Sequence, residues 1–371
     1  MKIVAQGILQ KGATGGPRGV SCFPNLGLLR DGSLIASYRC GVTKEDEDND
    51  VEIRISRDLG ATWSDPMRPF PSVVAGTKGS NGSAKFTNDG SDRLLVTMMW
   101  IDREAYPGKP LFNEETEGCL PLRILIAESK DQGATWSEPW LVDVPEDIGP
   151  PSLTSPLLRL PSGRFALSLE SNKQYEDTSP WKQKVTYLYS DDGAKTFGRP
   201  HVVSEDPSGR IFNWDQRTGV APDGSLVSFT WTYDSKDAKY LNIHRRISRD
   251  EGATWSAPGD LGFSDQPSCP AIFPDGRVVL AWVDRFGTQS IRVREAAAID
   301  GEFSEASEVV LWDQSAQNRR GIEGTGGLLS DMGIWNYGLP FALALPNGEA
   351  MVVFYASDGA AMDIHWVRLA S

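Results

Sequence analysis

Apolar residues in this chain arrive in short runs, and the runs come in pairs separated by a turn. GLLRDGSLIASY spans Gly27 to Tyr38, and LRLPSGRFALSLE spans Leu158 to Glu170. GVAPDGSLVSFTW runs from Gly219 to Trp231, IFPDGRVVLAWV from Ile272 to Val283, and LALPNGEAMVVFY from Leu343 to Tyr355. KFTNDGSDRLLVTMMW, Lys85 to Trp100, repeats the pattern with a longer turn. Asp-Gly or Asn-Gly between apolar runs predicts a β-hairpin. Six such pairs predict six hairpins. The opening MKIVAQGILQKG alternates like one more strand, expected to join the last hairpin and tie the first and last units together.

A second pattern interleaves with the first. SRDLGATW starts at Ser56, SKDQGATW at Ser129, SDDGAKTF at Ser190 and SRDEGATW at Ser248. The phrase is Ser-x-Asp-x-Gly-x-Thr-aromatic, broken once by Ala194, and it recurs at roughly 60–70 residues, the spacing of a repeat array. Its Ser and Asp can accept hydrogen bonds from nearby backbone N–H groups. Trp63, Trp136, Phe197 and Trp255 are placed to anchor the turn to the sheet below. Each copy follows a β-rich run and precedes a Pro-containing exit. The fifth hairpin has only a remnant at Asp300-Gly301, and the sixth ends in FYASDGAAMDIHWVRL without the phrase. Division of 371 residues by six leaves about 62 per unit, enough for a four-stranded blade with loops.

The phrase resembles the Asp-box, or bacterial neuraminidase repeat, of the sialidase superfamily. The resemblance implies an all-β, six-bladed β-propeller over residues 1–371, read as one domain, with the boxes on its outer edge and away from the active site.

Composition narrows the function classes. A formal net charge of -13 disfavours nucleic acid and anionic membranes as partners. No stretch approaches the roughly 20 apolar residues of a membrane span. The start lacks the apolar core and cleavage site of a signal peptide, so a cytoplasmic location is expected unless a leader has been removed. The oligomeric state is left open. Cys22, Cys40, Cys119 and Cys269 form no CxxC pair and the three histidines are scattered, so neither a metal nor another cofactor is expected. Hairpin register about Asp31-Gly32 sets Cys22 opposite Gly41 and turns the Cys22 and Cys40 thiols to opposite faces, which predicts reduced cysteines.

A propeller site is expected at one end of the central channel, where strands of the inner hairpins begin and end. The residues reaching that rim are Arg39 and the run Glu45 to Asp48; Trp100, Asp102 and Arg103; Glu170; Asp215, Arg217, Trp231 and Tyr233; Asp284 and Arg285; and Tyr337 and Tyr355. The stretch Trp312 to Asn336 is Gly-rich and polar, a long loop of the kind that often carries function.

Sialidases, by resemblance, bind a carboxylate with three arginines and use a Tyr nucleophile, a Glu that activates it and an Asp acid/base. The first arginine position is matched by Cys22 in Ser21-Cys22-Phe23-Pro24, and the Gly-Arg that follows by Tyr38-Arg39. Asp46 best matches the acid/base, Asp215 stands at the Glu position and Trp231 at the second arginine. The third arginine matches Arg319 or Arg320. Strict register puts Leu339 at the nucleophile, with Tyr337 two residues earlier. Cys and Trp cannot replace bidentate arginines, so ordinary sialosides are not the expected substrate. Register also sets Trp231 across from Gln216. The run Lys44 to Asp50 has other readings: a solvated loop, or calcium. Asp46-x-Asp48-x-Asp50 starts like an EF-hand, but Val51 and Arg57 replace its Gly and closing Glu.

Three readings follow. One is an exo-acting glycoside hydrolase acting on a carbohydrate other than ordinary sialosides. Its catalytic set is Asp46, Asp215 and Tyr337. Arg39, Trp100, Glu170, Arg217, Trp231, Asp284, Arg285, Arg319, Arg320 and Tyr355 would hold the substrate. The second is a polysaccharide lyase using Arg39 with Tyr337. The third is a non-catalytic glycan- or protein-binding propeller.

Overall fold

A computed structural model describes residues 1–264, 266–314, 325–333, 335–357 and 361–371. Six antiparallel sheets form the blades of a β-propeller. Blade one comprises Val20–Leu28, Leu34–Gly41 and Asp50–Ser56. Blade two is built on Thr77–Asn88, Leu94–Asp102 and Leu122–Ser129, and blade three on Leu158–Arg159, Phe165–Glu170 and Lys184–Ser190. Blade four uses Ile211–Val220, Leu226–Asp234 and His244–Ser248. Blade five uses Ser268–Ile272, Val278–Asp284 and Ser290–Ala296. Blade six uses Tyr337–Ala344, Ala350–Ala356 and Asp363–Ala370. The N-terminal strand Lys2–Gln10 pairs with Asp363–Ala370 as the outermost strand of blade six, as its alternation predicts. Blades six and one are stitched by Ser21 N–H to Met362 O at 3.0 Å and Met362 N–H to Gly19 O at 3.1 Å. Chain start and chain end thus share one sheet, which ties the ring shut. Among the described residues no helix is long and apolar enough to cross a membrane.

The inner hairpins close differently from the simplest two-residue turn. Leu29 N–H reaches Ser33 O at 2.8 Å, and Gly32 N–H reaches Leu29 O at 3.0 Å. The loop therefore holds three residues, with Gly32 at φ 83°. Residues 160–164, 221–225, 273–277 and 345–349 repeat it. The extra loop residue shifts the register expected between the strands.

Four of the repeated phrases have one hydrogen-bond pattern. In the second copy, Ser129 Oγ accepts Gly133 N–H at 2.8 Å and donates to Asp131 Oδ1 at 2.8 Å. Asp131 then accepts both the N–H and the hydroxyl of Thr135. Trp136 is half-buried against Phe70 and Phe86, with ring centroids at 5.3 and 6.1 Å. Ala194 keeps the left-handed backbone of the glycine that it replaces, at φ 66°. Leu34 pairs with both Leu28 and Ser56, so the phrase sits at the hairpin-turn end of its blade.

At the opposite end, four first strands carry a bulge. Phe23-Pro24 oppose Tyr38 alone, because Cys22 pairs with Arg39 and Asn25 with Ser37. Gly82 is the extra residue of blade two. Asp215-Gln216 are the bulge of blade four, and Leu339-Pro340 that of blade six. Two expected pairings are corrected by this. Trp231 lies across from Trp214 rather than Gln216, and Cys22 across from Arg39 rather than Gly41. A bulge inserts one unpaired residue and re-aims its side chain. All four cysteines are buried and free.

Candidate active site

The bulges point into one cavity. Phe23, Gly82, Asp215 and Leu339 all line a narrow lobe of about 150 Å³ at the inner end of the blades. Phe23, Asp215 and Leu339 hold positive φ, at 53°, 47° and 43°. Such backbone is uncommon outside glycine, more so for a bulky side chain, and strained residues gather at functional sites. A wider lobe of about 390 Å³ adjoins the first and shares Phe23, Arg39, Asp215, Trp231 and Leu339 with it.

The narrow lobe holds two carboxyl groups from neighbouring blades. Glu170 ends the second strand of blade three and is 5% exposed. Its Oε1 accepts from Thr154 Oγ1 at 2.7 Å and from Gln216 N–H at 2.9 Å. Burial first, and the Asp215 charge second, push its pKa up to about 8. Burial also raises Asp215, but Arg217 and Lys85 oppose the shift. Arg217 Nη2 stands 3.3 Å from Asp215 Oδ1. Two neighbouring carboxyls in one lobe resist ionising together, so one of them keeps a proton. The cations beside Asp215 leave that proton on Glu170.

The wider lobe is cationic and aromatic. Lys44 donates to Met332 O at 2.6 Å, Trp335 O at 3.0 Å and the Tyr355 hydroxyl at 3.3 Å. Burial lowers its pKa to about 7. Arg285 donates to Gln266 Oε1 and to Tyr337 O, with its guanidinium 4.2 Å from the Trp335 ring centre. Trp231 lines both lobes, edge-on to Trp214 at 5.1 Å and stacked on Tyr240 at 5.5 Å.

Two segments cover the mouth. Leu111 and Phe112 come from the connection between the second and third strands of blade two. Leu329 and Met332 come from the short helix Thr325–Asp331 and the turn that follows it. The segments touch: a Cβ on Gly326 would lie 2.1 Å from Glu114 O, so only glycine allows that approach.

The structure brings Arg39, Glu170, Asp215, Arg217, Trp231, Arg285 and Tyr355 to the cavity wall. Four expected residues do not line it. Asp46 spends its carboxylate on its own loop, accepting Val42 N–H and Asp48 N–H, and the preceding Glu45 lines the wall. Trp100 is fully buried, with its indole N–H on Ser72 O. Asp284 caps a turn by accepting Gly287 and Thr288 N–H. The Tyr337 ring packs in the core under Arg285 at 4.4 Å, because the bulge after it turns Leu339 to the cavity instead. Arg319 and Arg320 lie outside the described residues.

Sequence reasoning missed Lys85, Lys44, Trp214 and the cover residues Phe112 and Met332. The available signal for Lys85 was a cation set between Ala84 and Phe86 in the inner strand, SAKF. Among the described residues no group of three or more His, Cys, Asp or Glu is placed to hold a metal ion.

No protein-family model and no curated protein matches the chain. Solved structures do. A protein of unknown function from Dyadobacter fermentans superposes with a TM-score of 0.71 at 19% identity, covering 99% of each chain. The intramolecular trans-sialidase from Ruminococcus gnavus gives 0.65 at 14% identity, covering 100% of this chain and 98% of its own. The NanB sialidase from Streptococcus pneumoniae gives 0.64 at 14%, covering 98% of this chain and 70% of its own. At these identities the likeness is one of fold: the chain has the six-bladed β-propeller of sialidases.

Proposed function

We propose that the chain is an exo-acting glycoside hydrolase with Glu170 as general acid and Asp215 as its ionised partner, acting on a carbohydrate other than ordinary sialosides. The observation that carries this reading is the Glu170–Asp215 pair in one lobe, with environments that separate their protonation. Glu170 Oε1 already accepts two hydrogen bonds, which leaves Oε2 to carry the proton. In this reaction the glycosidic C–O bond breaks, the Glu170 proton passes to the leaving oxygen, water supplies the hydroxyl at the anomeric carbon, and the remaining water proton returns to the Glu170 carboxylate. Asp215 stabilises the positive charge developing on the sugar ring, and Trp231 offers an apolar face to it. The covered mouth favours a chain end over the middle of a polymer. Cys22 is buried in the core and supplies no cation, which supports discrimination against sialosides.

The test is a panel of aryl glycosides, including an aryl sialoside, and uronic-acid polymers, read for reducing sugar and for near-ultraviolet absorbance. Release of a reducing sugar, reduced about 10²–10⁴-fold in Glu170→Gln, is expected. An unsaturated product would establish a lyase instead. Undiminished turnover by Glu170→Gln would overturn the assignment.

A further inference from the structure

Lys85 and Arg217 face the narrow lobe from blades two and four. Each residue is only 6% exposed. Arg217 spends Nη2 on Asp215, while its Nε and Nη1 are buried with no hydrogen-bond partner. The Lys85 side chain lies close enough to Arg217 for the two positive charges to repel, with Asp215 and Glu170 the acidic groups within reach. Arg39 lines the same lobe and also keeps a buried Nε without a partner. Buried donors are normally satisfied, and buried cations are normally paired. With Glu170 protonated, the described lining of this lobe sets one ionised carboxylate, Asp215, against the Arg217 and Arg39 guanidiniums and the Lys85 amine, whose pKa burial and the Arg217 charge lower to about 7. Unused donors and surplus positive charge describe a site completed by a ligand.

We propose that Lys85 and Arg217 form an oxyanion subsite, so that the narrow lobe takes a sugar bearing a carboxylate or a sulfate ester. The oxyanion accepts from Lys85 Nζ and from the unused N–H groups of Arg217. It thereby relieves the repulsion between the two cations. This rests on the reading of the cavity as a sugar site and adds the chemical class of the sugar. Carboxylate and sulfate share the required chemistry, and the ligands chosen below separate them.

Trp214 and Trp231 line the lobe and report occupancy through their fluorescence. The probes are methyl glucuronide, methyl galacturonide, methyl glucoside 6-sulfate and neutral methyl glucoside, titrated at fixed ionic strength. At least one anionic sugar should bind about tenfold or more tightly than the neutral one, and Lys85→Met and Arg217→Met should each abolish that preference. Lys85→Arg, which keeps the charge, should retain part of it and guards against a folding defect. Equal binding of charged and neutral sugars, binding of none, or a preference that survives in both Met variants overturns the proposal. Glu170→Gln separates the two claims. If it binds the anionic sugar as wild type does while the wild type turns nothing over, the subsite stands and the hydrolase reading fails. If wild type hydrolyses neutral glycosides as fast as charged ones, the hydrolase reading stands and the subsite fails.

Discussion

Glu170 Oε1 accepts the backbone N–H of Gln216 at 2.9 Å, across the seam between blades three and four. A bulge leaves an amide without its ladder partner, and here a side chain from the next blade satisfies it. One carboxyl thereby fixes the bulge that aims Asp215 into the cavity. The same contact brings Asp215 near enough to raise the Glu170 pKa.

That coupling sets a pH profile. Glu170 must hold its proton to act as an acid, and its folded pKa is raised to about 8. Activity on any substrate identified should therefore fall as pH rises through about 8. Glu170→Gln keeps an oxygen for Gln216 N–H but has no proton to give. It should lose the activity with little change in melting temperature. A profile whose alkaline limb stays in place in an Asp215→Asn variant would show that the two groups are not coupled.

Asp215→Ala removes the counter-charge beside Arg217 and Lys85. Turnover should fall at least about 100-fold, and affinity for an anionic sugar should rise because one competing charge is gone. Kinetics and equilibrium titration on the same variant check this. Full activity in the variant would remove Asp215 from the mechanism.

Lys44 ties the blade-one loop to the segment after the short helix through Met332 O and Trp335 O. Lys44→Met should release that segment. Amide exchange at residues 325–333 should quicken, while the blades exchange as before. The opposite pattern, slowed blades and an unchanged segment, would contradict a local tie.

Trp136 packs on Phe70 and Phe86 while remaining half-buried. Trp136→Ala should cost about 3 kcal/mol, the low end of the range for aromatic deletions. Denaturant unfolding measures it. A cost below about 1 kcal/mol would show that the repeated phrase needs no aromatic anchor.

Hydrogen bonds from Thr135, and from its counterparts Thr62, Thr196 and Thr254, hold the Asp131, Asp58, Asp192 and Asp250 carboxyls below the usual range. A depressed folded pKa gives stability that is present above the unfolded value and lost as pH falls through the folded one. Melting temperature should drop below about pH 4, and the drop should be shallower in Asp131→Asn. An unchanged slope would place acid sensitivity elsewhere.

The sequence by itself determined the six hairpins, the four repeated turns and the N-terminal strand that closes blade six. Each depends on local rules: alternation along a strand, Gly at a turn, and Ser and Asp folding their own backbone. It also named Arg39, Glu170, Asp215 and Trp231, inner-hairpin residues that line the cavity. Tertiary structure alone decided which of the rim residues face the cavity. A single inserted residue at Phe23, Gly82, Asp215 or Leu339 reverses which side chains point inward, and no residue type announces it. It turned Leu339 in and left Tyr337 in the core, and it let Asp46 cap its own loop. Glu170 and Lys85 titrate near neutrality for a related reason. Their pKa values come from burial and from charges on other blades, which a linear pattern does not contain.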